Sequence, residues 1–404
     1  MSIFNTNSLN FSNLNTSDGF SNNNNNYNSI KNSNNLVNND MKTKERPEIS
    51  SIIGIGDCLV DIIAEIDSQI IDIYHLKFDK TIYAGDITNN IFTELETKPV
   101  VNCIPGGSVQ NILRCLSFNL YQKSIKNNNF NYNNLNYNFN KENNYNLCML
   151  GCAGDDNYKE KIINLLNESK IKPLINIIEG ETSRCGAGFY NKKPFLISEI
   201  KASKLLSKEF IISNKEEILS HEILLIEGYY LQYQFEICEA LCELFKNEKN
   251  KLIILTLSPI SLNNNIYEKY IQIANYADII FSSKLQAEDF AFSKGLENKK
   301  IFEKIFKTLS NNKKRLLVVK DGKEAAYCSK YNYIEKHLEF ILTCFPQQIK
   351  NEEIIDEIGF EDAFFGGFLS EYMKGNSLYL CLQKGNEMAN IILKNPGCSF
   401  GKSK

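Results

Sequence analysis

Short segments rich in Ile, Leu and Val recur along the chain and alternate with longer stretches of helical periodicity. The apolar segments are residues 51–66, 147–154, 222–231, 251–258, 278–283 and 315–322. Helical stretches such as FEICEALCELFKNE and IYEKYIQIANYA lie between them. Strands that are apolar along their whole length are typical of a mostly parallel sheet covered by helices on both faces. The pattern therefore predicts an α/β fold whose ligands bind beyond the carboxyl ends of the strands.

Two tracts rich in Asn and Ser lie outside this alternation. Residues 1 to about 47 hold too few large apolar side chains to offset the entropy lost on ordering, so we predict a disordered Asn-rich tail. A second tract, residues 123–146, predicts a low-complexity surface-loop insertion, because long loops add little closure entropy. The remaining residues, 48–400, are expected to form one domain.

The composition argues against several classes of protein. Of the 404 residues, 43% are hydrophobic, which is enough to fill a sizeable core. The formal net charge is only -3 and the lysines are spread among acids, so neither nucleic acid nor a membrane is an expected partner. The sequence shows no long apolar run and no basic leader, which makes a cytoplasmic location the default and leaves monomer and dimer open.

Cysteine and histidine usage points to packing rather than to metal chemistry. The 12 cysteines contain no CxxC pair, so reduced and buried thiols are expected. The histidines are His75, His221 and His337, and from their wide scatter we expect no carboxylate or cysteine at ligand spacing. We therefore expect neither a zinc site nor a Ser/His/Asp triad.

The first stretch with chemical potential is GIGDCLVDI, where Asp57 and Asp61 follow an apolar strand. A carboxylate in this place can accept hydrogen bonds from two hydroxyl groups of a sugar. The alternative, which the local sequence favours, is that both are turn acids that cap the next element.

The second stretch is PGGSVQNILRCLSF, in which Gly106 and Gly107 end an extended segment before a helix. Paired glycines let backbone amides approach a ligand closely, and Asn111 in the first helical turn can donate and accept hydrogen bonds. Ser108 is predicted to cap the helix. A glycine turn before a helix is common, so this motif alone is weak.

The third stretch, DEIGFEDAFFGG, covers residues 356–367 and predicts a helix with a wide buried face from Asp362 onward. Gly366 and Gly367 inside it cost about 1 kcal/mol each against alanine, which is tolerable where the helix must approach another backbone closely. Free amides and the macrodipole at the helix start favour an anion, and Asp362 can take a proton from an attacking hydroxyl. The alternative is a first-turn acid that only complements the dipole.

In this order and spacing, the three stretches resemble those of the ribokinase-like family of sugar and nucleoside kinases, and within it the adenosine kinases. The resemblance runs from about residue 50 to 400 without the Asn-rich insertion. It includes LKFDKTIYAGDITNNIFTEL, LLIEGYYLQYQFEICEALCELF and GNEMANIILKNPGCSF. It implies a doubly wound αβα core with a small β lid, built here from about 62–104 and 181–200.

The resemblance also implies an activity, the ATP-dependent phosphorylation of the 5′ hydroxyl of adenosine to AMP in purine salvage. Asp362 would be the general base, and Asp61 would bind the ribose hydroxyls. The same pocket would be lined by Gly106, Gly107 and Asn111, with Asp57 close by. ATP would lie near Lys320, Gly322 and Asn390, with Mg²⁺ bridging its phosphates.

The chain departs from the family pattern on the phosphate side. The family's Gly-Ala-Gly-Asp anion hole reads Gly359, Phe360, Glu361 and Asp362 here. The other departures are Ser283 and Gln286 in place of an Asn-x-x-Glu motif, Lys320 in place of a threonine, and Pro194 in place of a lid arginine. Gln286 is thereby left with an indirect role toward magnesium. Arg184, Lys192 and Lys193 are near enough in sequence to replace the arginine.

The glutamate at 361 carries the largest expected penalty. A carboxylate about 4 Å from a phosphate oxygen is repelled by about 4 kcal/mol at an effective dielectric near 20. That energy corresponds to about a thousandfold in rate, and a positive φ at residue 361 would add about 1–2 kcal/mol of strain. Three readings stay open: an adenosine-kinase-like enzyme, a catalytically degenerate nucleoside-binding pseudokinase, and a kinase of another sugar. In the first, Glu361 or Glu357 could replace the acid lost at Gln286 and hold a magnesium-bound water.

Overall fold

The computed structural model describes residues 46–76, 81–83, 90–98, 101–121, 145–190, 193–258, 264–292, 294–309 and 313–400. Apart from residues 46–47 and 145–146, the predicted tail and insertion lie outside the described residues. The described residues belong to one compact unit, Lys44–Lys404. None of their helices has the length and apolar character needed to span a bilayer.

The strands follow the apolar segments of the sequence, and the helices fill the intervals between them. The strands are β1 (Ser51–Ile55), β2 (Leu59–Glu65), β3 (Thr81–Tyr83), β4 (Val101–Gly106), β5 (Asn146–Gly154), β6 (Lys172–Ile178), β7 (Ser183–Tyr190), β8 (Lys193–Glu199), β9 (Ile223–Ile226), β10 (Leu252–Thr256), β11 (Ile279–Ser283), β12 (Leu316–Asp321), β13 (Ala325–Asn332) and β14 (His337–Cys344). The helices are α1 (Ser68–Tyr74), α2 (Ile91–Glu96), α3 (Ser108–Tyr121), α4 (Asn157–Glu168), α5 (Lys208–Ser213), α6 (Lys215–Leu219), α7 (Phe235–Lys246), α8 (Asn264–Tyr276), α9 (Lys284–Phe290), α10 (Asn298–Thr308), α11 (Phe360–Met373) and α12 (Leu378–Leu393). Short 3₁₀ helices occur at Ala202–Leu205, Tyr229–Gln232 and Asn351–Glu353.

Nine strands form one large sheet in the order β14-β13-β12-β11-β10-β9-β1-β5-β6. From β6 to β12 all neighbours are parallel, and β13 and β14 extend one edge as antiparallel strands. The single apolar segment expected at 51–66 is two strands, β1 and β2, which belong to different sheets. The predicted mostly parallel sheet is therefore confirmed.

Alternate residues of the central strands face two separate helical layers. In β1, Ile52 belongs to a core formed with α3, α4, α11 and α12. Ile53 and Ile55 belong to a second core formed with α5 to α10. Strands buried on both faces need this near-continuous apolar character. The αβα architecture expected from the sequence is thus confirmed.

The other five strands form a second sheet, in the order β3-β8-β7-β2-β4. Its own small core includes Ile62, Phe92 and Phe195, which pack together with residues of α1 and α2. The segments expected for a lid, about 62–104 and 181–200, supply these strands. Since only residues 56–58 separate the end of β1 from the start of β2, this sheet lies at the carboxyl end of the large sheet.

The two glycines inside α11 allow close helix packing. A Cβ atom at Gly366 would lie 2.6 Å from Cys115 Cβ and from the Ile112 carbonyl oxygen of α3. A Cβ atom at Gly367 would lie 2.6 Å from the Lys384 carbonyl oxygen of α12. The predicted close approach to neighbouring backbone is confirmed, and it places the start of α11 beside the start of α3.

Candidate active site

A cavity of about 350 Å³ lies where the carboxyl ends of β1 and β9 meet the second sheet and the starts of α3 and α11. Its lining residues are Asp57, Leu59, Asp61, Gly107, Ser108, Asn111, Cys185, Phe195, Leu196, Ser198, Ile200, Glu227, Tyr229, Tyr233, Glu357, Ile358, Gly359 and Asp362. This is the sheet edge at which parallel α/β folds bind ligands. Residues that are far apart in sequence therefore share one cavity.

Asp362 lies in the first turn of α11, and two side chains of α3 hold it. The Ser108 hydroxyl donates to Oδ1 at 2.6 Å, and the Asn111 amide nitrogen donates to Oδ2 at 3.1 Å. Burial raises the pKa of Asp362 to about 6, although both hydrogen bonds oppose the rise. The expectation that Ser108 caps α3 was wrong, because Ser108 is the first residue of that helix and its hydroxyl is committed to Asp362.

The start of α11 keeps the features of an anion site. Gly359 precedes the helix with φ 75°, a conformation that suits glycine, and no side chain caps the helix. Backbone N–H groups in the first helical turn have no intrahelical acceptor, so they can bind an anion. Phe360 and Glu361 are ordinary helical residues, and the positive φ belongs to Gly359. The strain anticipated for a glutamate at 361 is therefore absent.

Glu361 is partly buried, which changes its charge state. Burial first, and then repulsion by Asp362 and Glu357, raise the pKa of Glu361 to about 8, while Lys320 opposes the shift. The side chain is therefore protonated at neutral pH. The predicted repulsion of phosphate assumed a carboxylate at residue 361, and the raised pKa weakens that assumption at pH values below about 8.

Asp61 lies in β2 and faces the cavity beside the glycine pair. A Cβ atom at Gly106 would lie 2.2 Å from an Asp61 carboxylate oxygen, so only glycine fits against this side chain. Gly107 has φ 102°, and a Cβ atom there would lie 2.2 Å from the Asp57 carbonyl oxygen. Burial and the nearby charge of Asp362 raise the pKa of Asp61 to about 7, and Arg114 opposes them.

Asp57 is almost fully buried between β1 and β2 and belongs to a network of acids and tyrosines. Tyr233 donates its hydroxyl to Asp57 Oδ1, and the Asp57 N–H donates to Glu227 Oε2 at 3.0 Å. Burial raises the pKa of Asp57 to about 6, and it raises the pKa of Glu227 well above the usual range. The nearby charge of Asp57 adds to the rise in the pKa of Glu227. The alternative interpretation made Asp57 a turn acid that caps the next element. That element is strand β2, so Asp57 has no helix start to cap.

The residues expected to contact ATP are Lys320, Gly322 and Asn390, and the structure shows no side-chain contact between Lys320 and Asn390 among its described hydrogen bonds. Lys320 is 1% exposed, and its ammonium donates to Asn386 Oδ1 at 3.0 Å. Burial lowers the pKa of Lys320 to about 8. Gly322 has φ 47° in the turn after β12, and Asn390 donates to the Gln347 carbonyl oxygen at 2.8 Å. The α12 side chain that contacts Lys320 is therefore Asn386, one turn before Asn390.

Ser283 and Gln286 form a capping box at the start of α9. The Gln286 N–H donates to the Ser283 hydroxyl at 3.2 Å, and the Ser283 N–H donates to Gln286 Oε1 at 2.9 Å. This reciprocal pair satisfies two otherwise free amides of the helix start. The side-chain oxygen that we expected to help organise magnesium is committed to the backbone.

The suggestion that Arg184 replaces the lid arginine was wrong. Arg184 donates to Glu199 Oε2 from Nε at 3.0 Å and from a terminal nitrogen at 2.7 Å. Its guanidinium also lies 4.6 Å from the centre of the Phe92 ring. Its neighbour Cys185 lines the cavity, so strand alternation turns Arg184 to the other face of the sheet. Pro194 lies in β8, and Lys192 lies outside the described residues.

Several cavity residues were not anticipated from the sequence. Glu227 directly follows the apolar strand β9, as Asp57 follows β1, so the rule that sites form at strand carboxyl ends could have found it. Tyr229 and Tyr233 follow in the same connection. Phe195 comes from β8 of the second sheet, and no local signal separates it from ordinary core residues.

Comparison with known proteins defines the class of this protein. The family model of the pfkB family carbohydrate kinases matches residues 74–404. The chain therefore belongs to this family, and its class is that of a phosphotransferase with a ribokinase-like fold.

Individual relatives are adenosine kinases. Adenosine kinase 1 of Arabidopsis thaliana is 22% identical over 359 residues, which cover 86% of this chain and 95% of the relative. The adenosine kinase of Schistosoma mansoni in complex with 2-fluoroadenosine superimposes with a TM-score of 0.73 at 20% identity, over 89% of this chain and 99% of that chain. The Anopheles gambiae adenosine kinase in complex with P1,P4-di(adenosine-5) tetraphosphate also superimposes with a TM-score of 0.73 at 20% identity. That match covers 88% of this chain and 98% of that chain. At these identities the structures establish the fold.

Proposed function

We propose that this protein is an adenosine-kinase-like enzyme that uses ATP to phosphorylate the 5′ hydroxyl of adenosine, giving AMP for purine salvage. Its membership of a carbohydrate kinase family supports the reaction class. The observation that carries the proposal is the Asp362 carboxylate, held by Ser108 and Asn111 at the wall of the cavity. Such a carboxylate is oriented to accept a proton from a substrate hydroxyl.

The chemistry of the cavity favours a neutral nucleoside. Five carboxylic acids line it, namely Asp57, Asp61, Glu227, Glu357 and Asp362. Within the described part of the chain, no Lys, Arg or His lines the cavity. Such a wall suits hydroxyl and amino donors and disfavours sugars that already carry a carboxylate or a phosphate. Apolar and aromatic side chains on the remaining wall, including Phe195 and Leu196, suit a planar base.

The residues have distinct proposed roles. Asp61 accepts hydrogen bonds from the ribose hydroxyls, and Gly107 and Asn111 line the same pocket. Asp362 accepts the 5′ hydroxyl proton as that oxygen bonds to the γ-phosphorus of ATP and the bond to the leaving ADP breaks. Bound ATP supplies the phosphoryl group, and Mg²⁺ neutralises charge on its phosphates.

The chain offers groups that fit these phosphates and the magnesium. The uncapped start of α11 supplies backbone N–H donors next to Gly359. Glu357 lines the cavity, and we assign its carboxylate to a magnesium-bound water. It also forms an exposed ion pair with Lys323 at 2.7 Å.

The test is turnover by the purified full chain with ATP, Mg²⁺ and a panel of adenosine, other nucleosides, ribose and fructose, followed by ADP release. We expect activity with adenosine. If no substrate is turned over but adenosine still raises Tm, the protein is a nucleoside-binding pseudokinase and the proposal is wrong. Turnover of ribose or fructose alone would instead identify a kinase of another sugar.

The pH profile of kcat/KM is expected to be bell-shaped. The acidic limb falls below about pH 7, because Asp61 and then Asp362, with pKa values of about 7 and about 6, become protonated. The alkaline limb falls above about pH 8, because Glu361 then loses its proton and places a negative charge beside the phosphate site. In Glu361→Gln, which is neutral at every pH, the alkaline limb should disappear while activity at pH 7 is retained.

Steady-state kinetics across pH 5 to 10 measure this effect, with Glu353→Gln as the matched control because that exposed acid pairs with Lys394 at 3.0 Å and does not line the cavity. The control should retain the alkaline limb. If the limb persists unchanged in Glu361→Gln, its origin is not Glu361, and Lys320, whose pKa is also about 8, becomes the titrating group.

A further inference from the structure

A cluster of three potential metal ligands lies at the edge of the large sheet opposite the cavity. Cys148 is near the start of β5, His221 lies two residues before β9, and Glu217 lies in α6. One ligand atom from each of these side chains lies within 4.8 Å of the other two. Cys148 and His221 are fully buried, and the Glu217 side chain is 30% exposed, which leaves a route for an ion.

The imidazole of His221 is arranged as metal-binding histidines are. Its Nδ1 lies 2.9 Å from the Glu217 carbonyl oxygen, so Nδ1 carries the proton and donates it to that oxygen. Its Nε2 therefore presents a lone pair, and among the described residues this buried atom has no hydrogen-bond partner. Leaving a buried acceptor unsatisfied costs about 1–3 kcal/mol. Metal-ligating histidines commonly donate the other ring N–H to a backbone carbonyl in this way.

The expectation that no carboxylate or cysteine stands at ligand spacing from a histidine was wrong, because Glu217 and Cys148 both lie beside His221. Glu217 precedes His221 by four residues, and the end of α6 brings the two together. Cys148 reaches them only through the sheet, since β5 and β9 are both neighbours of β1. The spacing along the sequence is therefore enough to find the Glu217–His221 pair, but it does not indicate that Cys148 lies beside them.

We propose that Cys148, Glu217 and His221 bind a Zn²⁺ ion, with water in the fourth position. A thiolate, an imidazole and a carboxylate are ligands that zinc prefers, and they suit a tetrahedral site. On binding, the Cys148 thiol releases its proton to solvent as the sulfur–zinc bond forms. The thiolate and the Glu217 carboxylate then balance the charge of the ion.

The surroundings of the cluster are compatible with this ion. Lys172 bonds Oε1 of Glu217 at 2.8 Å, which leaves the second carboxylate oxygen for the metal, and the Lys172 side chain is half exposed at the rim. Without an ion, burial raises the pKa of Cys148 to about 12, so the metal has to displace a proton. The ion would tie α6 to β5 and β9 far from Asp362, so it should affect stability and leave turnover unchanged.

The experiment uses the full chain after treatment with a chelator and dialysis. Titration with Zn²⁺ should give one ion per chain and raise Tm by about 3 °C or more at saturation. Co²⁺ in place of zinc should give a thiolate-to-cobalt charge-transfer band, which reports a sulfur ligand directly. Cys148→Ser and His221→Gln should lose the metal-dependent rise in Tm, and Cys148→Ser should also lose the band.

Matched controls separate this site from adventitious binding to other side chains. Cys152→Ser changes a fully buried thiol in the same strand, and His337→Gln changes an exposed histidine, so both should retain the metal-dependent shift. Glu217→Gln, at a partly exposed position that should tolerate the change, should keep the band and weaken binding. No stoichiometric binding by the wild type, or equal binding by Cys148→Ser and Cys152→Ser, would overturn the site. Both outcomes are independent of the proposed kinase activity.

Discussion

Replacing Asp362 by Asn is expected to lower kcat for adenosine by about 10²–10⁴-fold, the usual contribution of a general base. The Asn side chain has the same shape and can still hydrogen-bond Ser108 and Asn111, which hold the carboxylate now. It cannot accept the hydroxyl proton. The dissociation constant for adenosine should therefore stay within a few-fold of the wild type, and single-turnover kinetics with ligand-induced shifts of Tm measure the two effects separately.

The matched control for this variant is Asp356→Asn. Asp356 is also a buried acid just before α11, but it accepts the N–H groups of Ile358 at 2.8 Å and of Gly397 at 2.7 Å. Its role is to shape the turn, so its replacement should lower Tm and change kcat little once the protein is folded. Equal losses of kcat in the two variants would contradict the assignment of Asp362 as the base.

Replacing Asp61 by Asn is expected to lower kcat/KM for adenosine by about 10–100-fold, mostly through KM. An amide can accept one ribose hydroxyl but presents N–H groups to the other, and one hydrogen bond to a charged group is worth about 1.5–3 kcal/mol. The Asp61 carboxylate occupies the space that a Cβ atom at Gly106 would need, so the glycine lets it lie close to the backbone. Steady-state kinetics with adenosine and with 2′-deoxyadenosine measure the effect.

The two substrates make this test specific to the ribose. If Asp61 binds both hydroxyl groups, the penalty of Asp61→Asn should be much smaller with 2′-deoxyadenosine, which lacks one of them. Asp67→Asn is the control, since Asp67 caps α1 beside the same sheet and Asn is an equally good cap. A penalty that is identical for both nucleosides would show that Asp61 acts on the fold and does not recognise the sugar.

Much of the fold was predictable from local pattern. Parallel strands buried on both faces must be apolar throughout, so the apolar segments 251–258 and 278–283 predicted strands β10 and β11. The α7 helix, Phe235–Lys246, followed from its periodicity in the same way. The sequence did not show that β1 and β2 separate into two sheets, because the apolar run passes through both strands with only a short break at residues 56–58.

The candidate site was partly predictable for a topological reason. Asp57, Asp61, Gly107, Asn111 and Asp362 line one cavity, because strand ends and helix starts in this type of fold meet at one edge of the sheet. The S-x-x-Q sequence of Ser283 and Gln286 is also that of a capping box, although we interpreted it from the sequence only as a diverged magnesium motif. No local pattern indicates the hydrogen bond from Ser108 to Asp362, because these residues are 254 positions apart and meet only where the starts of two helices lie side by side.

The amino-acid sequence by itself determined the α/β class, the order of the main elements and the types of side chain available to the site. Only the tertiary structure decided their charge states and their partners. Glu361 reads as an anion in the sequence, yet burial beside Asp362 raises its pKa to about 8. Likewise, Cys148 and His221 become neighbours only through strand pairing. The physical reason is that a pKa or a ligand set depends on which distant residues exclude water and share the same space, and no local stretch of sequence contains that information.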